Sequence, residues 1–429
     1  MDLRRVVHCN KPPQGICRKL LDEGLRQPFV ILCQYFLELG RSGKLNFPSS
    51  KYPNIVHFAQ ALHGLLIGGN VDPNPQTRNM FSAIGKPDHL VLILVDGYGM
   101  NFVNMLSEKS FIRSNLAFDM LTVFPSTTPT VLTSIATGRW PSEHSILGWH
   151  NYLPMMNDVA TIIKFEKTSD GSALYDNNIL ETDAYPIPSL FGKSQTDNHF
   201  YLPASICKTP YSRYWSGGIE PECYKDIPQT IKAIQNNIKN SNGPTFNYVY
   251  ISDVDHVAHQ KGTYDPATCK SVEKIDDFMT LLRKTLPKNA RLLMTADHGH
   301  LDTTPELITY LRGEEELFSL TERKPSGDAR IMYTEVSKEN QQHFFAIAKE
   351  QLGPDFITLT TSQAEQLELF GENSLSTEAS KRLGNIMILS TGRAILEYRS
   401  VLGVSGKEVS ISHHSGLTNE EMQIPLVIG

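Results

Sequence analysis

Leu90-Val91-Leu92-Ile93-Leu94-Val95-Asp96-Gly97 is the stretch whose reading decides the fold. Its unbroken apolar run suits a strand buried on both faces of a parallel sheet. The run ends on a carboxylate. Two later stretches repeat that form. Tyr248-Val249-Tyr250-Ile251 leads into Ser252-Asp253-Val254-Asp255-His256-Val257-Ala258-His259, and Arg291-Leu292-Leu293-Met294-Thr295-Ala296 leads into Asp297-His298-Gly299-His300. In open parallel sheets, ligands bind outside the carboxyl ends of the strands. The pattern therefore predicts an α/β protein that gathers distant residues at one sheet edge. Those residues are of metal-binding type, which points to a hydrolytic metal site.

The bulk composition agrees with an enzyme-sized globular chain. Over 429 residues, 40% are hydrophobic and 20% charged, the balance of ordinary globular proteins. A formal charge of −6 argues against a basic nucleic-acid-binding surface. No apolar stretch reaches the ~20 residues of a membrane span. Met1-Asp2-Leu3-Arg4-Arg5 lacks the apolar core of a secretory signal, so the expected location is cytoplasmic, or outside by a signal-independent route. The six cysteines, Cys9, Cys17, Cys33, Cys207, Cys223 and Cys269, show no CxxC spacing. They read as reduced thiols rather than a disulfide framework, with a Cys207–Cys223 bridge as the alternative. The chain stops just after the strand-like run Ile424-Pro425-Leu426-Val427-Ile428, the ending expected of a piece of a longer protein.

Along the chain, residues 1–85 read as a mainly helical N-terminal extension, with helical spacing from His57 to Leu66 and a loop from Val71 to Thr77. The catalytic domain is read over 86–429. Within it, 151–245 and 301–410 read as cap-type insertions near the site. No internal repeat or low-complexity tract is found.

Phe124-Pro125-Ser126-Thr127-Thr128-Pro129 opens a helix that should stop at Gly138. Proline suits the first helical position, which would make Thr128 the N-cap. A hydroxyl there lies beside free backbone N–H groups and the positive end of the helix dipole, where an alkoxide or a phosphate oxygen is stabilised. A hydroxyl is a poor nucleophile until a base or a metal lowers its pKa. Taken alone, Thr128 would be read as a simple capping residue; the surrounding metal-type residues make it the candidate nucleophile.

Asp255 and His259 stand four apart, so on a helix they share a face. Asp297 and His298 are adjacent after a strand, and His414 supplies a late imidazole. Mixed aspartate and histidine sets suit Zn²⁺, Mn²⁺ or Co²⁺ better than Ca²⁺ or Mg²⁺. Two metals about 4 Å apart would clamp the attacking and leaving oxygens of an in-line displacement. Each pair is a weak signal alone; together, at successive strand ends, they are a strong one.

From Asp88 to Gly429 the chain resembles the type I phosphodiesterase/nucleotide pyrophosphatase family of the alkaline phosphatase superfamily. The resemblance rests on Val95-Asp96-Gly97, Phe124 to Thr128, Thr137-Gly138-Arg139, Asp255 with His259 and Gly262, Thr295 to Gly299, and His414 before Leu417-Thr418. It implies a mostly parallel sheet with helices on both faces, and two metals, typically zinc. It also implies that Asp96, Thr128, Asp297 and His298 hold one metal, and Asp255, His259 and His414 the other. The activity it implies is cleavage of phosphodiester or pyrophosphate bonds in nucleotides, with metal-bound Thr128 attacking phosphorus. The chain departs from the family's eukaryotic pattern in two places. The asparagine that assists the transition state is matched only by Asn151, two residues late. Thr127 stands where many nucleotide pyrophosphatases carry lysine.

Other readings remain open at this level. The same ligands serve phosphomonoesterases and phosphonate hydrolases of the superfamily, and a non-catalytic metal-binding scaffold is the alternative from another class. No Cys-x-Pro-Ser-Arg lies near the nucleophile, which argues against a sulfatase. Asp253, His256 and His300 are either partners that orient ligands or solvent-facing loop residues. Arg139 and Arg330 would meet a phosphate or form structural ion pairs. Tyr211, Tyr214 and Trp215 would stack on a nucleobase or simply pack.

Overall fold

The computed structural model describes residues 35–429 except 37, 69–73 and 405–408. Most of the N-terminal extension, including Cys9, Cys17 and Cys33, lies outside the described residues. What is described of it includes the helices Ile55–Ile67 and Pro75–Ile84. The first begins where the Asn54 side chain accepts a hydrogen bond from His57 N, a standard N-cap. The second is capped by Asn74 and opens on Pro75, so Thr77 is helical rather than part of a loop.

The central sheet has seven strands in the order Leu116–Leu121, Gln423–Ile428, Ala290–Thr295, His89–Val95, Thr245–Ile251, Asp197–Pro203 and Glu222–Tyr224. All run parallel except Gln423–Ile428, which is antiparallel to both neighbours. Val91, Leu92, Ile93 and Leu94 are all fully buried. Successive strand side chains point to opposite faces, so both faces of the sheet are covered. This is the mostly parallel α/β architecture expected from the apolar runs.

A second sheet is entirely antiparallel: Phe356–Thr360, Ile386–Ser390, Ile331–Thr334, Ser326–Asp328, His150–Leu153, Asp158–Thr161 and Glu166–Lys167. It is built from both spans read as insertions, which meet where Gly327 pairs with His150. The span 151–245 is not wholly a cap, however. Asp197–Pro203 and Glu222–Tyr224 extend the central sheet at its edge. Their polar residues, Asp197, Asn198, His199 and Glu222, hide the apolar signal that marks the inner strands.

The thiol reading is corrected for one pair: Cys207 and Cys223 form a disulfide. The register explains why. Leu202 pairs with Cys223 across the two edge strands, and Cys207 N bonds back to Pro203 O in the turn that follows. The chain therefore folds the two cysteines together despite their separation of 16 residues. Cys269 is a free thiol. No helix among the described residues is long and apolar enough to cross a membrane.

Candidate metal centre

Register delivers the site. Val95 pairs with Ile251, and Leu94 with Thr295, so the residues that follow leave the sheet from one edge. Asp96 comes directly off its strand. Asp255 lies in the first turn of the helix Asp253–Lys261, with His259 one turn on, and the His259 Nε2 to Asp255 Oδ1 distance is 3.2 Å. Asp297 and His298 lie in the loop after Ala290–Thr295, both fully buried. His414 arrives from the far end of the chain.

Two clusters form. In the first, His298 Nε2 lies 3.4 Å from Asp96 Oδ1, 3.5 Å from Asp297 Oδ2 and 3.3 Å from Thr128 Oγ1. The other carboxylate oxygens are already occupied. Asp297 Oδ1 accepts from Gly97 N and His298 N, each at 3.0 Å, and Asp96 Oδ2 accepts from the Tyr250 hydroxyl. Asp96 Oδ1 and Asp297 Oδ2 are left buried without a hydrogen-bond partner among the described residues. Buried carboxylate oxygens without partners are costly, and both converge on one point. The second cluster joins Asp255, His259 and His414. It lies directly against the first: the rings of His298 and His414 stack at a centroid distance of 3.6 Å.

The three imidazoles share one arrangement. His259 Nδ1 is 2.7 Å from Ser412 O, His298 Nδ1 is 3.1 Å from Gly299 O, and His414 Nδ1 is 3.1 Å from Ser126 O. A carbonyl only accepts, so each Nδ1 donates to it and each Nε2 is turned into the cluster. Metal-binding histidines are oriented in this way.

The electrostatics describe a site short of positive charge. Burial, then the charges of Asp255 and Asp297, push the Asp96 carboxyl well above the usual range. Burial works in the same direction on Asp255, but the neighbouring His259 and His300 hold it well below. Burial opposes protonation of His259, yet Asp255 raises it to about 9. Burial and the nearby His298 depress His414. A divalent cation in each cluster would relieve these opposed demands, and the mixed carboxylate and imidazole donors fit zinc-type ions.

The helix Thr128–Thr137 differs from expectation by one residue. Thr127 is its N-cap, Thr128 is the first helical residue and Pro129 follows. Thr127 does not cap with its side chain; its hydroxyl donates to Asp328 Oδ2 at 2.8 Å. The N-terminal turn beside Thr128 is therefore left without a side-chain cap. Tyr211, Tyr214 and Trp215 pack rather than offer a free aromatic face. Tyr211 donates to Pro129 O, Trp215 Nε1 donates to Leu132 O at 2.8 Å, and Tyr214 stacks on Tyr185.

Asn151 is buried and hydrogen-bonded to the backbone before its strand. Its Oδ1 accepts from Leu147 N at 2.9 Å and its Nδ2 donates to Gly148 O at 2.7 Å. Both ends of the amide brace the turn before its strand. His413 turns away from the clusters to Ser410 O. Asp253 and His256 are exposed, whereas His300 is fully buried. Arg139 pairs with Glu143 at 2.8 Å on the surface. Arg330 pairs with buried Glu421, whose carboxylate also accepts from Gly416 N and Thr418 N. That ion pair locks the loop carrying His414. Sequence reasoning missed Tyr250 and Asp328. Tyr250 is one residue from the carboxyl end of its strand, a position that could have flagged it. Asp328 gives no local signal, because only sheet pairing brings it beside Thr127.

Comparison with known proteins agrees with this fold. The chain is similar in fold to the human ectonucleotide pyrophosphatase/phosphodiesterase 5, at a TM-score of 0.59 and 13% identity, covering 79% of this chain and 87% of that one. An inactive form of the murine counterpart, in complex with AMP, superposes at a TM-score of 0.57 with 13% identity and the same coverage. No curated protein sequence matches the chain. The family model for type I phosphodiesterase/nucleotide pyrophosphatase matches residues 90–408. The chain belongs to the type I phosphodiesterase/nucleotide pyrophosphatase family, a class of metal-dependent hydrolases.

Proposed function

We propose that this enzyme binds two divalent cations, most suitably zinc, and cleaves phosphodiester or pyrophosphate bonds in nucleotides through Thr128. The observation that carries the reading is the shared orientation of His259, His298 and His414, each fixed by a backbone carbonyl at Nδ1 with Nε2 turned toward the other donors of its cluster. Asp96, Thr128, Asp297 and His298 would hold one cation, and Asp255, His259 and His414 the other. When bound, the cations would supply the positive charge that lowers the pKa of a hydroxyl or water and balances charge developing on phosphate oxygens.

The chain's own groups then account for the remaining steps. Thr128 Oγ1 attacks phosphorus, and its position at the start of a helix lends the helix dipole to the phosphate oxygens. The P–O bond to the leaving group breaks, and a phosphothreonine diester remains. Water from the opposite side then displaces Thr128 Oγ1 and restores the hydroxyl. Each displacement inverts phosphorus, so the overall outcome is retention.

The Asp328 carboxylate beside Thr127 supports a diester over a monoester as the substrate. It takes the hydroxyl of the residue before the nucleophile; where ionised, its charge would oppose the second charge of a phosphomonoester more than the single charge of a diester. The AMP complex of the murine relative supports a nucleotide as the substrate. Hydrolysis of bis-p-nitrophenyl phosphate against p-nitrophenyl phosphate by zinc-loaded protein tests the assignment. A diester preference in kcat/KM is expected, and a monoester preference would move the enzyme to the phosphatases of the same superfamily.

A further inference from the structure

His300 lies just behind the second cluster and is not among its ligands. It is fully buried, and both ring nitrogens are engaged. Nε2 lies 3.0 Å from Asp255 Oδ1 and Nδ1 lies 2.7 Å from Ser412 Oγ. The Asp255 carboxylate accepts, so Nε2 carries the proton, and Nδ1 takes the hydrogen of the Ser412 hydroxyl. The same Ser412 uses its carbonyl to hold His259 Nδ1 at 2.7 Å.

The fold makes room for this chain of contacts. Leu301–Asp302, directly after His300, pairs antiparallel with Ser412–His413, placing Asp302 opposite Ser412. Gly97 stands where a Cβ would come within 2.4 Å of His300 Nε2, so the missing side chain leaves the imidazole its space. The short ribbon thus carries one serine whose carbonyl holds His259 of the second cluster and whose hydroxyl holds His300, the neighbour of Asp255.

We infer that Ser412 and His300 form a positioning relay, in which Ser412 orients His300 and His300 fixes the Asp255 carboxylate for the second cation. The inference rests on the two-cation reading given above. His300 Nε2 also lies within 4.8 Å of donor atoms of Asp255 and His298, so direct coordination is the competing role. Against it, Nε2 needs its proton for the bond to Asp255, and a protonated nitrogen has no lone pair for a metal.

The test uses apoprotein prepared by chelation and measures zinc affinity at each site by competition with a chromophoric chelator, with a thermal melt to establish folding. His300→Phe keeps the ring bulk and removes both nitrogens. It should weaken one of two zinc sites by about 10- to 100-fold, the usual effect of losing a partner that orients a ligand, and leave the other unchanged. His300→Gln returns an N–H donor near the position of Nε2 and should recover most of the loss. Ser412→Ala, which keeps the carbonyl that holds His259, should weaken the same site by a smaller factor. Folded His300→Phe with both affinities unchanged would overturn the relay. So would a His300→Gln loss as large as that of His300→Phe, which would mark His300 as a ligand. Wild-type protein that takes up fewer than two zinc ions would instead overturn the two-cation reading beneath it.

Discussion

At the scale of single residues, two buried histidines outside the metal centre make a separate prediction. His63 donates from Nε2 to Ile135 O at 2.7 Å, and burial lowers its pKa to about 4. His144 accepts from Ile146 N at Nδ1 and meets Ser134 Oγ at Nε2; burial, and then the charge of Arg382, lower it to about 3. Both are neutral in the folded protein and would ionise near 6.5 when unfolded. Below pH 6.5 the unfolded chain therefore binds more protons than the native one, and stability falls as pH falls toward 4. Each group contributes at most about 1.4 kcal/mol per pH unit in that window. Urea melts between pH 7 and pH 4.5 should show a shallower acid loss for His63→Gln than for the wild type. Parallel slopes would show that His63 is not held neutral. Asp96, Asp255, His259, Asp297 and His298 are legible in sequence because they follow apolar strand runs, whereas no such run precedes His414. The partners that aim them are less so, since Ser126, Gly299 and Ser412 act through backbone carbonyls, which any residue type supplies.

At the scale of elements, the loop that brings His414 to the site depends on the Arg330–Glu421 pair. Both side chains are fully buried, and the Glu421 carboxylate gathers Gly416 N, Thr418 N and Thr418 Oγ1. Glu421→Ala would leave an unpaired buried guanidinium and release three donors. The expected cost is about 3–5 kcal/mol, seen as a fall in the denaturation midpoint, together with weaker zinc binding at the second cluster. A loss below about 1 kcal/mol would contradict this role. The inner strands of the central sheet were readable because continuous apolar runs have few alternatives in an α/β protein. The start of the helix Thr128–Thr137 was misplaced by one residue because proline fits either of the first two helical positions. The Thr127 hydroxyl, which would otherwise cap the helix, goes to the Asp328 carboxylate.

At the scale of the whole molecule, two features could not be read along the chain. The second sheet joins His150–Leu153 to Ser326–Asp328, a pairing between short strands far apart in sequence with no local pattern to announce it. The Cys207–Cys223 bridge likewise follows from strand register rather than cysteine spacing. It bears on the expectation of a cytoplasmic location, since disulfides persist mainly in oxidising compartments. A bridge across 16 residues is worth about 3 kcal/mol by loop-closure entropy. Peptide mapping without reductant should recover the Cys207–Cys223 linked pair, and reductant should lower the midpoint of unfolding; two free thiols at these positions in native protein would contradict the bridge. The central claim, that Thr128 is the attacking group in a two-cation hydrolase, is tested most directly by zinc-loaded Thr128→Ala beside the wild type on bis-p-nitrophenyl phosphate. The account predicts an unchanged melt and a fall in kcat of about a thousandfold or more. Turnover within tenfold of the wild type would contradict it.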